Sequence, residues 1–278
     1  MAENFLKMLG RHVQSAPSVG SYFGAYSAIV TNIEHDAAKA QTEETKGYRL
    51  RVKFPWLEEA HESYWARMAT MMAGKDRGAF WMPEVGDEVL VVFEGGDFRF
   101  PIVIGSLWNG QDKYPQKLTI TPADQEIKIP VVDQGGKINN YRFWHSREGH
   151  VLLFRDEPGK LQIVIRTKKS NEIVLDDTDG NEKIQIYDKD NDNYMEIDTV
   201  KKKITIESKT GEIYVKAKTK ITLDCEDLIT KSSKSTSMKS GTTFKTHAGA
   251  AMEQKTDATM DLKAGGVMTQ KAPTIKLN

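Results

Sequence analysis

From Leu228 onward the chain repeats every eight residues. Leu228, Phe244, Met252, Met260 and Met268 share one column, with Thr236 at the intervening step. Lys231, Lys239, Lys255, Lys263 and Lys271 share a second, with His247 in phase. Gly241, Gly249 and Gly265 share a third, whose other members are Ser233, Asp257 and Pro273. Three columns in phase define a repeat architecture, and any account of the fold has to start from it. A strand of about five residues plus a turn of about three makes one such step. Each step supplies only one or two large apolar side chains, too few for one chain to bury a core against its conformational entropy. Three identical chains can. The spacing therefore predicts an intertwined homotrimeric β-helix, a triangular prism with the apolar column on the shared axis, lysine in water and the small residue at the corner.

The repeat extends upstream with a longer step. Strand centres recur at Leu161/Ile163/Ile165, Ile173/Leu175, Ile184/Ile186, Met195/Ile197, Ile204/Ile206, Ile213/Val215 and Ile221/Leu223. Polar turns rich in Asp and Asn separate the early pairs, at 176–181 and 188–193, followed by Lys201-Lys202-Lys203. The expected trimer core of this needle is Ile184, Ile186, Ile197, Ile204, Ile206, Ile213, Val215, Ile221, Leu223, Leu228, Phe244, Met252, Met260, Met268 and Ile275. About sixteen steps at roughly 4.7 Å would make a shaft of about 75 Å. A coiled coil does not fit an eight-residue period rich in Thr, Gly and Ser. Disorder has no need of columns in phase.

The first part of the chain carries a different signal. Tyr22, Tyr26, Ala28 and Val30 alternate, as do Leu50, Val52 and Phe54 against Arg49, Arg51 and Lys53, until Pro55 ends the run. Further strands are expected at 64–72, 86–93 and 101–107, with a glycine turn at Glu94-Gly95-Gly96-Asp97. Five short strands without a convincing helix between them predict a small closed barrel of OB type, with Leu50, Val52, Phe54, Val89, Val91, Phe93, Ile102 and Ile104 in its core. The fold class is thus all-β. The expected layout is an N-terminal segment 1–19 with a short helix on Phe5, Leu6 and Leu9, a barrel 20–115, a connector 116–145 and a needle 146–278.

Composition agrees with a thin interchain core. Only 39% of the 278 residues are hydrophobic, and mean hydropathy is −0.52. Lysine plus arginine equals aspartate plus glutamate at 39 each, which argues against nucleic-acid capture by bulk charge. The single cysteine, Cys225, permits no intramolecular disulfide. No signal-peptide pattern or apolar span is read, so synthesis in the cytoplasm is expected.

Catalytic and metal chemistry find little support. The six histidines, His12, His35, His61, His145, His150 and His247, have no zinc spacing. Asp188-x-Asp190-x-Asp192 resembles the start of a calcium loop, but its twelfth position is Thr199, and Asx turns explain the acids more simply. Glu58-Glu59-Ala60-His61-Glu62 reads as a solvated loop. Tyr48, Phe54, Trp56, Trp65, Phe80, Trp81 and Trp108 could stack bases in an OB domain. That keeps one competing reading open, a single-stranded nucleic-acid-binding protein with a basic tail. A cell-wall hydrolase would need a paired carboxylate cleft that the sequence does not show.

The segments Arg49 to Trp56, Ala66-Arg67-Met68, Gly78 to Phe93, Gly96-Asp97 and Pro101 to Gly110 resemble, in this order, the OB domain of the VgrG family of type VI secretion spikes. They resemble equally the baseplate-protein-V-like central spikes of contractile phage tails and extracellular injection systems. The octads and the closing Thr274-Ile275-Lys276-Leu277-Asn278 resemble that family's needle. The resemblance implies a structural, non-enzymatic puncturing spike without a cofactor. It implies a homotrimer beneath a separate baseplate hub, because the large hub domain usual in VgrG is not found, and neither is an inserted lysozyme domain. A PAAR-type tip protein would then contact Ile275, Lys276, Leu277 and Asn278, since no His-x-His metal tip is present. Effector cargo, transient contact with a target membrane and work within a released tail-like particle complete what the resemblance implies. No nucleic acid is expected as partner.

Overall fold

The computed structural model describes residues 21–33, 49–57, 61–120, 125–128 and 139–275. The expected N-terminal helix, His12, His35, Tyr48, Glu58, Glu59 and most of the connector's prolines and glycines lie outside them. Every regular element among the described residues is a strand, apart from one 3-10 turn at Glu94–Gly96.

Alternating apolar residues build the barrel. Its strands are β1 (Tyr26–Asn32), β2 (Arg49–Lys53), β3 (Ala66–Met68), β6 (Glu88–Phe93) and β7 (Pro101–Leu107), and a two-residue hairpin, β4 (Ala73–Gly74) with β5 (Arg77–Gly78), stands apart. The barrel closes in the order β1-β2-β3-β7-β6. β3 and β7 run parallel, while the other neighbours are antiparallel. Closure leaves no free sheet edge. Ala28, Val30, Leu50, Val52, Phe54, Ala66, Val89, Val91, Phe93 and Val103 form the buried core. Tyr22, Tyr26 and Phe98 pack against it. The strand expected over 64–72 is shorter than its apolar run, because the chain leaves the barrel after β3 for the β4–β5 hairpin, where Asp76 has a φ of 56°. Gly96 is required twice over: its φ is 76°, and a Cβ there would meet the Phe23 ring at 2.9 Å.

One core assignment is corrected. Pro101 and Val103 face inward on β7, while Ile102 is half-buried and Ile104 is 46% exposed. The register skips a residue between Leu90↔Gly105 and Val91↔Val103, so Ile104 is the extra residue of a β-bulge. Pro-Ile-Val-Ile is a continuous apolar run, and such a run carries no phase from which the inward face could be read.

A seven-stranded antiparallel sheet follows, in simple sequence order: β10 (Tyr141–His145), β11 (Val151–Glu157), β12 (Lys160–Arg166), β13 (Glu172–Asp176), β14 (Lys183–Tyr187), β15 (Asn193–Asp198) and β16 (Lys203–Ser208). The stretch 116–145 also contains the hairpin β8 (Lys117–Ile120) with β9 (Gln125–Lys128). β10 is the edge strand of the sheet, and Leu118 of β8 is buried with Val151, Leu153, Val164 and Val174. Trp81 stacks on Trp144 at 5.7 Å, and Arg147 bonds Glu84 at 2.7 Å, so the barrel and the sheet touch. The described residues up to Tyr214 accordingly form one compact unit, and a second begins at Val215. Sequence periodicity could not see these long-range contacts.

Candidate functional site

The sheet alternates, and its alternation sorts two chemically different faces. On one face, Leu152, Ile165, Ile173, Ile186, Met195 and Ile206 lie opposite one another from strand to strand. Beside them run Phe154, Ile163, Leu175, Ile184, Ile197 and Ile204. These are two unbroken apolar columns crossing β11 to β16. No described residue covers them fully: Ile184 is 42% exposed and Ile204 66%. Transfer of each such side chain out of water is favourable by about 1.5–3 kcal/mol. An exposed apolar surface of this extent marks an interaction face.

The opposite face carries the buried Val151, Leu153, Val164 and Val174, flanked by charges that are paired internally. Arg166 bonds Glu172 at 2.9 Å, with both side chains almost wholly buried. Arg155 bonds Glu157, and Tyr141 donates to the same carboxylate at 2.8 Å. Burial pushes Glu157 up, but the Arg155 and Tyr141 hydrogen bonds outweigh it and hold the carboxyl below its ordinary range. Asp198 is held low by the Lys201 amide and ammonium. Burial drives the Tyr187 hydroxyl up to about 12.

Beyond Ser208 no strand pairing occurs among the described residues. Ile213, Val215, Ile221, Leu223, Leu228, Phe244, Met252, Met260, Met268 and Ile275 are all exposed in the single chain. The backbone bends at 233–234, 241–242, 249–250, 257–258 and 265–266, always at the small-residue column and its successor. Two of these corners share a hydrogen bond: Ser232 Oγ donates to the Ser235 carbonyl, and Ser240 Oγ to that of Thr243, each at 2.7 Å. The octad thus appears in the backbone as a straight run and a corner. Lys276, Leu277 and Asn278 lie outside the described residues, so of the expected tip contacts only Ile275 is placed.

Other candidates resolve into packing and turns. Trp56 packs on Phe54, Tyr22 and Tyr26. The Arg51 guanidinium lies 4.6 Å above Trp65, and Trp108 meets Tyr114 edge-on at 5.7 Å. Phe80 stays exposed. Asp188 caps its own turn by accepting from the amides of Asp192 and Asn193 and from Asn193 Nδ2. Among the described residues no three His, Cys, Asp or Glu side chains group as a metal site. Sequence reading missed the polar face and its buried Arg166–Glu172 pair. The outward charges at alternate positions of β12 and β13 were their only trace.

Comparison with known proteins places the barrel. Residues 26–108 match the family model of the type VI secretion system/phage-baseplate injector OB domain. VgrG1b, a type VI secretion system spike protein of Pseudomonas aeruginosa, is 26% identical over 132 residues, covering 46% of this chain and 17% of that protein. VgrG5 of the same organism is 34% identical over 110 residues, covering 38% and 14%. VgrG3 of Vibrio cholerae is 28% identical over 133 residues, covering 46% and 12%. The matched part is thus less than a fifth of each relative's own length.

Proposed function

From a VgrG-like, all-β chain with an injector-type OB barrel, we propose a homotrimeric central spike of a contractile injection system, acting as a structural element and not as an enzyme. The observation that carries this reading is the pair of apolar columns on β11–β16, followed in sequence by octads whose apolar residues no described residue covers. Three copies related by a threefold axis turn these faces toward one another. Backbone groups beyond Ser208, which lack strand partners among the described residues, then pair between chains. Such a shaft resists bending because many interchain hydrogen bonds must shear together before it yields.

In the same reading the barrels sit beneath a baseplate hub. The needle end around Ile275 receives a PAAR-type tip protein that covers strand edges and exposed apolar side chains. Effector cargo and passing contact with a target membrane belong to this role. So do assembly in the bacterial cytoplasm and action in a tail-like particle released from the cell. Electron microscopy of the purified chain tests the reading. Threefold-symmetric particles with a narrow shaft are expected, and single compact chains would overturn it.

A further inference from the structure

The charged face of the sheet holds a cavity of about 420 Å³, around which Lys160, Thr178, Asn181, Lys183, Gln185 and Tyr187 converge. Small-molecule sites begin at about this size. Its floor is already saturated. Asp176 accepts from the Thr178 amide at 2.9 Å, Gln162 Nε2 at 2.8 Å and Asn181 Nδ2 at 3.4 Å. Gln162 Oε1 in turn accepts from Arg155 Nη1 at 3.2 Å. A floor with its hydrogen bonds spent internally is rigid and offers shape.

The rim is not saturated. Asn181 spends its amide hydrogen on Asp176 and keeps its carbonyl oxygen. Gln185 donates to Glu196 at 2.7 Å and likewise keeps its oxygen. The Thr178 hydroxyl is engaged with the Asp176 carboxylate, while the Tyr187 ring packs on Tyr194. Lys160 faces Glu157 across the β11–β12 turn, and its charge helps to hold that carboxyl low. Two spare amide oxygens and the Tyr187 hydroxyl match a ligand rich in hydroxyl groups. The Tyr187 ring supplies an apolar wall for C–H faces. The exposed Lys160 ammonium adds a place for one negative charge.

We infer that this cavity binds a small polyhydroxylated ligand bearing one anionic group, an acidic or phosphorylated sugar unit. All its lining comes from one chain, on the face turned away from the apolar columns. The site therefore goes beyond the spike reading and stands or falls apart from it.

Calorimetric titration of the full chain with glucose 6-phosphate, glucose and inorganic phosphate tests the inference, with the mass of the same sample measured by light scattering. Glucose 6-phosphate should bind about tenfold or more tightly than either of the others, the effect of one charge-assisted hydrogen bond. Lys160→Gln should abolish its advantage over glucose, and Gln185→Ala should weaken both sugars alike, with circular dichroism unchanged. The inference is overturned if no probe binds, if inorganic phosphate binds as tightly as the sugar phosphate, or if Lys160→Gln leaves the preference intact. Sugar binding by a single-chain species would remove the spike and keep the site. A trimer that binds none of the probes would do the reverse.

Discussion

In the barrel, Leu50, Val52, Phe54, Val89 and Val91 are fully buried by their own chain, whereas Leu228, Phe244, Met252, Met260 and Met268 are exposed in theirs. In both regions large apolar residues recur at a regular spacing. What differs is closure. The barrel's last strands return to its first and third, so every inward face has a facing wall. The sheet and the octads run on in sequence order and never return, so one apolar face stays open. Closure lets a region be stable alone. An open repeat makes its stability a property of several chains together.

The contrast predicts unequal responses to mutation, and the largest belongs to the open face. Ile184→Asp with Ile186→Asp places unpaired charge in the shared core, at about 3–5 kcal/mol for each buried site. Mass by light scattering should fall to that of one chain, while the barrel's aromatic circular dichroism persists. Phe54→Ala should cost about 3–5 kcal/mol through a cavity in the barrel. Denaturant melts of that variant should show a barrel transition independent of protein concentration, beside a shaft transition that depends on it.

Glu172→Gln leaves the buried Arg166 short of its counter-charge and should destabilise the sheet by about 3 kcal/mol. The apolar pair Arg166→Met with Glu172→Leu should recover most of that loss in the same melts. Acid probes the same face. Glu157, Asp176 and Asp198 all have carboxyls depressed below their unfolded values. Their contribution is complete above the ordinary carboxylate range of about 4 and is lost as pH falls through the depressed values. Sheet stability should therefore stay level from neutrality to about pH 5 and decline below about 4, less steeply in Asp176→Asn. The smallest effect is local: Lys202 holds a φ of 53°, and Lys202→Gly should raise stability by about 1 kcal/mol in thermal melts.

The sequence made legible whatever depends on local period. The strand centres from Leu161 to Ile206 fall within β12 to β16, the glycines of the 94–97 turn take positive φ, and the octad corners lie at the small-residue column. The inward phase of Pro101-Ile102-Val103-Ile104 was illegible, because a uniformly apolar run has no alternation and a bulge resets it. Also illegible was the sheet's reach back to β10 and Leu118, which depends on contacts distant in sequence. The saturated floor and unsaturated rim of the cavity on β11–β14 arise only when strands come into register, so residue type alone could not reveal them.

The central claim is that the open apolar columns are the inside of a trimer. Multi-angle light scattering of the purified chain, over a dilution series, addresses it most directly. The account predicts a single species at about three times the chain mass of 31.3 kDa, holding that mass on dilution. A monodisperse species of one chain at micromolar concentration would contradict it.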